Sequence, residues 1–150
     1  MKHAYDVRVA WTGRTTDYRS YSRNHTVSTD GRPELRGSSD PTFRGDRDRW
    51  NPEQLLLAAL AQCHMLAYLH VCVTEGVVVT GYVDEATGSM TSDRDGSGRF
   101  TEALLRPRVT VADASMVEAA ERAHRRANEL CFIANSVSFP VRHEPTTTVD

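Results

Sequence analysis

A long apolar helix in the middle of the sequence constrains the fold more than any other feature. Its start is marked by Asn51, a favoured N-cap residue, by Pro52, which fits the first helical position, and by Gln54, which completes a capping box. The pattern predicts a helix from Pro52 to about Glu75, ended by Gly76. Because the helix is apolar nearly all round, it belongs in the centre of a fold. Its few strongly polar residues and many alanines argue against a membrane span.

The segment before this helix predicts two strands and a long loop. Residues 5–11 alternate between polar and apolar side chains, and residues 18–28 alternate again after a turn, which predicts an N-terminal hairpin. Glu34 and Leu35 form a candidate short strand. The rest of residues 32–50 is polar and rich in arginine, and its glycines and prolines predict a loop. A polar loop of this length inside a domain is usually functional or mobile.

The segment after the helix predicts further strands and a second helix. Residues 77–83 and 100–111 are predicted strands separated by a turn, and Pro107 indicates an edge position or a bulge. Ser115 and Glu118 match a capping box that opens the second helix. The tail, residues 136–149, predicts a last strand. Small or apolar residues recur at helical spacing in the second helix: Met116, Ala120, Ala123, Ala127, Leu130 and Ala134.

Size and charge exclude several classes of protein. A chain of 150 residues is long enough to bury one core, so we expect a single domain over residues 1–150. Its 18 lysine and arginine residues are outnumbered by 20 acidic ones, and the net charge of -2 disfavours binding to a nucleic-acid backbone. The first residues lack the apolar stretch of a signal peptide, which predicts a cytoplasmic protein.

Cysteines are the first candidates for chemistry. Cys63, Cys72 and Cys131 are odd in number and widely spaced, which fits neither a disulfide framework nor a CxxC zinc site. If the two helices pack together, Cys63 and Cys131 come close enough to form a redox pair. In such a pair one thiolate reduces a peroxide and the second thiol resolves the resulting sulfenic acid. Taken singly, a cysteine in an apolar helix is more often a core residue, and we assign that role to Cys72.

A reactive thiol in an apolar helix needs charged neighbours. Burial alone favours the uncharged thiol, so a cation must stabilise the thiolate and a carboxylate must hold that cation in place. Arg19, Arg23 and Arg44 are the candidate cations, and Glu53 is the candidate carboxylate. The default interpretation of arginines in a polar loop is a solvated surface.

Other catalytic and metal-binding motifs are missing from the sequence. His64, His70 and His124 have no spacing typical of a zinc site, so we expect them to be satisfied or exposed histidines. The chain contains neither a glycine-rich phosphate-binding loop nor a GxSxG serine-hydrolase motif. We therefore expect no metal ion and no bound cofactor.

A family resemblance follows from the segment WNPEQLLLAALAQCHMLAYL. It resembles the NPEELL…ASCH segment that opens the central helix of the OsmC/Ohr superfamily, the osmotically induced and organic hydroperoxide resistance proteins. Cys131, followed by FIANS, lies where these proteins have their second cysteine, and the order of strands and helices agrees along nearly the whole chain. Phe132 replaces the proline that commonly follows that cysteine. The segments YSRNH, SSDPTFRGD and AHRRANELCFIANS are similar to a distinct OsmC-like branch.

The resemblance implies a fold and an activity. The fold is α+β, with antiparallel sheets around two long central helices, in an intertwined homodimer whose sites lie at the subunit interface. The activity is that of a thiol-dependent peroxidase that reduces organic hydroperoxides and is regenerated by a dithiol reductant. Cys63 would be the peroxidatic nucleophile and Cys131 the resolving thiol. Glu53 matches the glutamate of NPE, which in this family pairs with an arginine to orient the thiolate.

The arginine of that pair has three candidates in the sequence. By position on the second strand, Arg23 or Arg19 fits one branch of the family, whereas Arg44 in the loop before the helix fits another. We favour Arg23. Ten positions separate Glu53 from Cys63, which places them roughly 80° apart and nearly three turns distant on a helix of about 3.6 residues per turn. Glu53 would therefore serve the cysteine of the other subunit more easily than its own.

Two other functions remain open. The first keeps the fold but makes the protein a non-catalytic dimer that binds a small molecule or acts in a stress response, with Cys63 and Cys131 as packed thiols. Phe132 favours this alternative slightly. The second is a ligand-sensing interaction module, indicated only by the arginine-rich loop. Alkylation of Cys63 separates the peroxidase from the packed-thiol alternative, because a thiolate reacts quickly near neutral pH and a buried structural thiol does not.

Overall fold

The computed structural model describes all residues from 1 to 150. The chain divides into two compact units, Met1–Leu56 and Leu57–Asp150. The expectation of a single domain stays a prediction.

The first unit is built on a small antiparallel sheet of three strands. Strand β1 (Arg8–Ala10) pairs with β2 (His25–Ser28), and β2 pairs with β3 (Leu35–Gly37). The predicted hairpin and the predicted strand at Leu35 are therefore confirmed. Residues 18–24, which alternate like a strand, instead form turns and irregular chain, since the Arg23 side chain donates to backbone carbonyls within this segment.

The predicted loop before the long helix is held by backbone contacts. A single 3₁₀ turn, Pro41–Phe43, is capped by Asp40, whose carboxylate accepts from the Thr42 N–H at 2.7 Å. Gly45 packs so closely on the backbone that a Cβ there would lie 1.5 Å from the Ser39 carbonyl oxygen. Only glycine fits that position, which fixes the path of the loop.

The long helix α1 spans Pro52–Thr74, as the sequence predicts. Its capping box is complete, because the Asn51 side chain accepts from the Gln54 N–H at 2.8 Å and the Gln54 side chain accepts from the Asn51 N–H at 3.1 Å. One helix of this chain, α1, is long and apolar enough by length and composition to cross a membrane, a property shared by core helices of soluble proteins.

A Schellman motif ends α1 at the predicted glycine. Gly76 has a φ of 71°, and its N–H donates to the Val73 carbonyl at 3.3 Å. The Val77 N–H donates to the Cys72 carbonyl at 2.9 Å. These two bonds satisfy carbonyls that the end of the helix leaves free, and the left-handed backbone explains the choice of glycine.

Two three-stranded sheets and one helix make up the rest of the second unit. One sheet has the order β4-β7-β9 and the other β5-β6-β8. The pairs β4–β7 and β5–β6 are antiparallel, as expected, whereas β7–β9 and β6–β8 are parallel, so both sheets are mixed. The strands are β4 (Val79–Asp84), β5 (Thr87–Ser92), β6 (Gly98–Leu105), β7 (Pro107–Val111), β8 (Val141–His143) and β9 (Thr146–Val149).

The predicted strand over 100–111 is two strands in two sheets. The chain leaves β6 after Leu105 and enters β7 at Pro107, and between them the Arg106 N–H donates to the Asp84 side chain at 2.7 Å. The expected edge position of Pro107 is wrong, since β7 is the central strand of its sheet. Proline is tolerated there because it is the first residue of the strand.

Helix α2 (Val117–Leu130) follows a 3₁₀ turn that the sequence did not predict. The predicted capping box at Ser115 is wrong. Asp113 takes its place, because its carboxylate accepts from the Ser115 N–H at 2.8 Å and caps the 3₁₀ turn. The helix ends before Ala134, which lies in a separate short turn.

The core of the second unit lies between α1, α2 and the β4-β7-β9 sheet. Small residues on the buried face of α2 allow Tyr68 of α1 to approach closely, and the Tyr68 hydroxyl donates to the Ala120 carbonyl at 2.9 Å. On the other side of α1, Leu66 is 61% exposed and Val73 is 77% exposed. The core cluster consists of Tyr68, Val71, Cys72, Val77, Val109, Val111, Ala120, Ala123 and Ala127.

Candidate functional site

The two cysteines predicted to form a redox pair are neighbours in the structure. Cys63 is half-buried in the middle of α1, and Cys131 is the first residue after α2. Cys131 is 1% exposed, and the Cys63 thiol lies close enough to raise its pKa. The two helices therefore bring together side chains that are far apart in the sequence, as the pairing hypothesis required.

Cys131 is held as an uncharged thiol. Burial raises the pKa of Cys131, and the neighbouring Cys63 raises it further, while the Ala134 N–H, 3.4 Å from the sulfur, lowers it in part. A group of this kind is a poor first nucleophile at neutral pH, because attack requires the thiolate. It suits the second step of a two-cysteine reaction, in which it attacks an already oxidised sulfur.

The third cysteine belongs to the core. Cys72 is 1% exposed and lies beside Tyr68, and burial raises the pKa of its thiol. It packs with the apolar residues of the core cluster. The neighbouring groups that affect this pKa are Tyr68 and Glu75, and neither is a thiol.

Glu53 lies in the first turn of α1 with one oxygen unsatisfied. The residue is half-buried, and its Oε2 is hidden from solvent with no hydrogen-bond partner within the chain. A buried carboxylate oxygen without a donor costs stability. This atom is therefore free to accept a hydrogen bond from a cationic group.

Arg23 and Arg44 lie around one tyrosine ring. The Arg23 guanidinium is stacked over the Tyr21 ring at 3.6 Å and lies 4.8 Å from the Tyr18 ring, and it donates to the Tyr18 carbonyl at 2.6 Å. The Arg44 guanidinium is 5.7 Å from the same Tyr18 ring. Arg19 makes only an exposed turn contact through its backbone N–H. Two of the three candidates for the site arginine, Arg23 and Arg44, therefore lie beside the same Tyr18 ring.

The structure does not join Glu53 to any candidate arginine. None of the six ion pairs includes Glu53, and Arg23 uses its guanidinium on backbone carbonyls and aromatic rings. The predicted carboxylate–arginine pair stays a prediction.

A buried cluster of histidines and tyrosines was not predicted as a cluster. His64, directly after Cys63, is 1% exposed, and its Nε2 lies 3.1 Å from Nδ1 of His124, which is 4% exposed. The His143 ring lies 4.3 Å from that of His64. Tyr68 stacks on His124 with ring centres 4.0 Å apart.

The histidines of this cluster are held neutral by their surroundings. Burial lowers the pKa of His64 to about 3 and that of His124 to about 4, and the nearby His143 lowers both further. Three ring nitrogens in the cluster have no hydrogen-bond partner, one on each histidine. No group of three histidine, cysteine or acidic side chains is arranged to hold a metal ion. His70, by contrast, is exposed on α1.

Comparison with known proteins agrees with the fold. The sequence profile of OsmC-like proteins matches residues 45–146, about two thirds of the chain. The chain belongs to the OsmC-like family. No curated protein sequence matches it significantly.

Solved structures extend the match to nearly the whole chain. An OsmC-like protein of unknown function from Vibrio cholerae is 30% identical, with a TM-score of 0.85 over 97% of this chain and 100% of that one. An organic hydroperoxide resistance protein from Elizabethkingia anophelis is 20% identical, with a TM-score of 0.71 and full coverage of both chains. The organic hydroperoxide resistance protein OhrB of Bacillus subtilis is 21% identical, with a TM-score of 0.63 over 95% of this chain and 98% of that one. The last two comparisons establish a shared fold.

Proposed function

We propose that this OsmC-like protein is a thiol-dependent peroxidase that reduces organic hydroperoxides. The observation that carries the proposal is the proximity of Cys63 and Cys131 in a fold shared with organic hydroperoxide resistance proteins. The buried, uncharged state of Cys131 supports its role as the resolving thiol. The half-buried Cys63 is the more accessible of the two, which supports its role as the nucleophile.

The reaction has three steps. The Cys63 thiolate attacks the terminal oxygen of R–O–O–H, the O–O bond breaks, and R–OH leaves with a proton while Cys63 becomes a sulfenic acid. The Cys131 thiol then attacks the Cys63 sulfur, so that an S–S bond forms and water leaves with the thiol proton. A dithiol reductant reduces the disulfide and is itself oxidised. The reductant and the thiol chemistry both fit a reducing compartment such as the cytoplasm, where we place the protein.

Glu53 and Arg23 complete the proposed site across a homodimer interface. The unsatisfied Oε2 of Glu53 needs a cationic donor, which Arg23 would supply. Leu66 and Val73, two large apolar side chains exposed on α1, support a second subunit packed on that helix. In this arrangement the arginine would stabilise the Cys63 thiolate and the glutamate would hold the arginine in place.

The test is a peroxidase assay with cumene hydroperoxide, with hydrogen peroxide for comparison and dithiothreitol as the reductant. We expect turnover that prefers the organic substrate and is abolished in Cys63→Ser. Cys131→Ser should stop multiple turnover, and Cys72→Ser is the matched control that keeps wild-type activity. Folded, reduced wild-type protein that is inactive on both peroxides would refute the proposal.

The arginine is tested in the same assay. Arg23→Ala should lower the rate constant for attack by about 100-fold or more, because a charge-assisted contact to the thiolate is lost. Arg19→Ala is the matched control from the same segment. If Arg44→Ala lowers the rate and Arg23→Ala does not, Arg44 is the site arginine.

A non-catalytic OsmC-like protein that binds a small molecule is the second candidate. The observation that favours it is the lack of any hydrogen bond or ion pair between an arginine and either thiol within residues 57–150. In this case the cysteines are packed thiols, and iodoacetamide should alkylate Cys63 slowly near neutral pH.

A further inference from the structure

A cleft in the first unit contains a cationic side chain that the proposed peroxidase does not use. The cleft has a volume of about 290 Å³ and lies between β1, β2 and the loop that precedes α1. Arg49 lies at one side of it and Trp11 at another. The remaining lining residues that matter here are Asn24, His25 and Thr26.

Arg49 is held rigidly with donor capacity left over. Its side chain is 17% exposed, and its Nη1 donates to the His25 carbonyl at 3.2 Å. Its Nε is buried without a hydrogen-bond partner and forms a long ion pair with Asp46, whose Oδ2 is 4.0 Å away. A guanidinium fixed in this way loses little freedom when it binds a ligand.

The other walls of the cleft are aromatic and neutral. The Trp11 indole N–H already donates to the Ser22 carbonyl at 2.7 Å, so the ring offers an apolar surface to the cleft. The Thr26 hydroxyl makes no hydrogen bond within the chain and is free to donate. No carboxylate lines this cleft.

A second cleft that Arg49 also lines provides an internal comparison. It has a volume of about 300 Å³, and its walls include the carboxylates of Asp40 and Asp46 together with the exposed Arg47. The two carboxylates of that cleft offset its two guanidiniums, Arg47 and Arg49, so an anion is attracted more strongly to the cleft that contains Trp11 and no carboxylate. The distribution of charge also favours an anion in this unit, since residues 1–56 carry ten lysine and arginine residues against eight acidic ones.

We propose that the cleft formed by Arg49, Trp11 and Thr26 binds a small organic carboxylate. The guanidinium binds the carboxylate group, the Thr26 hydroxyl donates to it, and the indole packs against the apolar or aromatic body of the ligand. A single guanidinium and one flat apolar wall suit a monocarboxylate better than a phosphate, which requires more donors.

Benzoate is the probe, followed by ¹H–¹⁵N spectra of the full chain at constant ionic strength. We expect saturable shifts of the Trp11 indole and of the His25 and Thr26 amides, with an affinity in the millimolar range. Benzamide, which has the same shape without the charge, should bind at least five-fold more weakly. Shifts that do not saturate by about 50 mM benzoate, or that are centred elsewhere, overturn the proposal.

Variants separate this site from a general effect of positive charge. Arg49→Gln should weaken benzoate binding at least ten-fold, whereas the matched control Arg47→Gln should change it less than two-fold. If Arg49→Gln does not fold, Thr26→Val and Trp11→Leu are the second test, and each should weaken binding. Equal weakening by Arg47→Gln contradicts the proposal. Cys63→Ser should bind benzoate as the wild type does, so the carboxylate site and the peroxidase stand or fall separately.

Discussion

The imidazoles of His64 and His124 form a buried pair, with their ring planes 7° apart and Nε2 of His64 3.1 Å from Nδ1 of His124. One of these nitrogens must carry the hydrogen, and the other must accept it. The pair is compatible with two neutral rings in complementary tautomers. His143 lies beside His64 but takes no part in this hydrogen bond. Once one of the three histidines is protonated, its positive charge disfavours protonation of the other two.

Acid should destabilise this protein through that pair. In the unfolded chain both histidines titrate near 6.5, whereas in the folded chain the pKa of His64 is lowered to about 3 and that of His124 to about 4. The unfolded chain therefore binds more protons below pH 6.5, and stability that is complete above 6.5 is lost as the pH falls. Each histidine should contribute about 2 kcal/mol to the loss between pH 7.5 and 5.

Urea unfolding at pH 7.5 and 5 measures this loss. His124→Gln removes one titrating group and should reduce the difference between the two pH values, whatever it does to stability at pH 7.5. His70→Gln, on the exposed side of α1, is the matched control and should keep the wild-type difference. An unchanged difference in His124→Gln would show that other groups cause the acid loss.

The capping box of α1 should contribute measurably to stability. Asn51→Ala removes the acceptor for the Gln54 N–H and should lower the free energy of unfolding by about 1 kcal/mol. Gln62→Ala, at an exposed position in the same helix, should change it by less than about 0.5 kcal/mol. Chemical denaturation of the two variants beside the wild type tests the difference, and equal effects would contradict the assigned cap.

Gly45 should tolerate no side chain. A Cβ there would lie 1.5 Å from the Ser39 carbonyl oxygen, so Gly45→Ala must displace the backbone of the loop before α1. We expect a loss of about 3 kcal/mol or more. Gly31→Ala is the control, because its φ of 73° costs about 1 kcal/mol but its Cβ would meet no atom within 4 Å. Thermal unfolding ranks the two variants, and a smaller loss in Gly45→Ala would be inconsistent with this packing.

Phe132→Pro should be well tolerated. Phe132 is 80% exposed, its N–H donates no backbone hydrogen bond, and Cys131 before it already has an extended ψ of 108°. The melting temperature should stay within about 5 °C of the wild type. A melting temperature well below this range would mean that the phenylalanine is needed for the local fold at Cys131.

The sulfenic acid of the proposed reaction can be trapped. In Cys131→Ser the oxidised Cys63 has no resolving partner, so one equivalent of cumene hydroperoxide followed by dimedone should add one label at Cys63. Wild-type protein treated in the same way should instead form the Cys63–Cys131 disulfide and take up little dimedone. Peptide mass analysis distinguishes the two products. Labelling of Cys72 in place of Cys63 would assign the nucleophile differently.

Local signals account for the parts of the fold that the sequence predicts well. The start and end of α1 depend on neighbouring residues only, through Asn51 and Gly76, and both are confirmed. Strand β5 (Thr87–Ser92) was missed because all six of its residues are exposed and it has no apolar side to give an alternating pattern. Its pairing with β6 is a tertiary contact. The division of residues 100–111 into two strands at Arg106 was missed for the same reason. The chain passes from one sheet to the other there, and the alternation of side chains carries no sign of that change.

In the candidate site, too, the sequence predicts what depends on the two helices and misses what depends on contacts between distant elements. The proximity of Cys63 and Cys131 could be predicted because Cys63 lies on α1 and Cys131 directly follows α2, and the two helices pack together. The histidine cluster could not, since His64, His124 and His143 come from three separate elements with no shared motif. The partner of Glu53 stays a prediction because its unsatisfied oxygen meets no donor within the chain.

The parallel strands β8 and β9 determine when the two sheets of the second unit can be completed during synthesis. Each adds to a different sheet, β8 beside β6 and β9 beside β7, although only the two residues 144 and 145 separate them along the chain. Neither sheet is finished until residues 141–149 have left the ribosome. Partners so distant in sequence also pair slowly. Until then the edges of β6 and β7 stay open to pairing with other chains, which makes the unfinished sheets prone to aggregation.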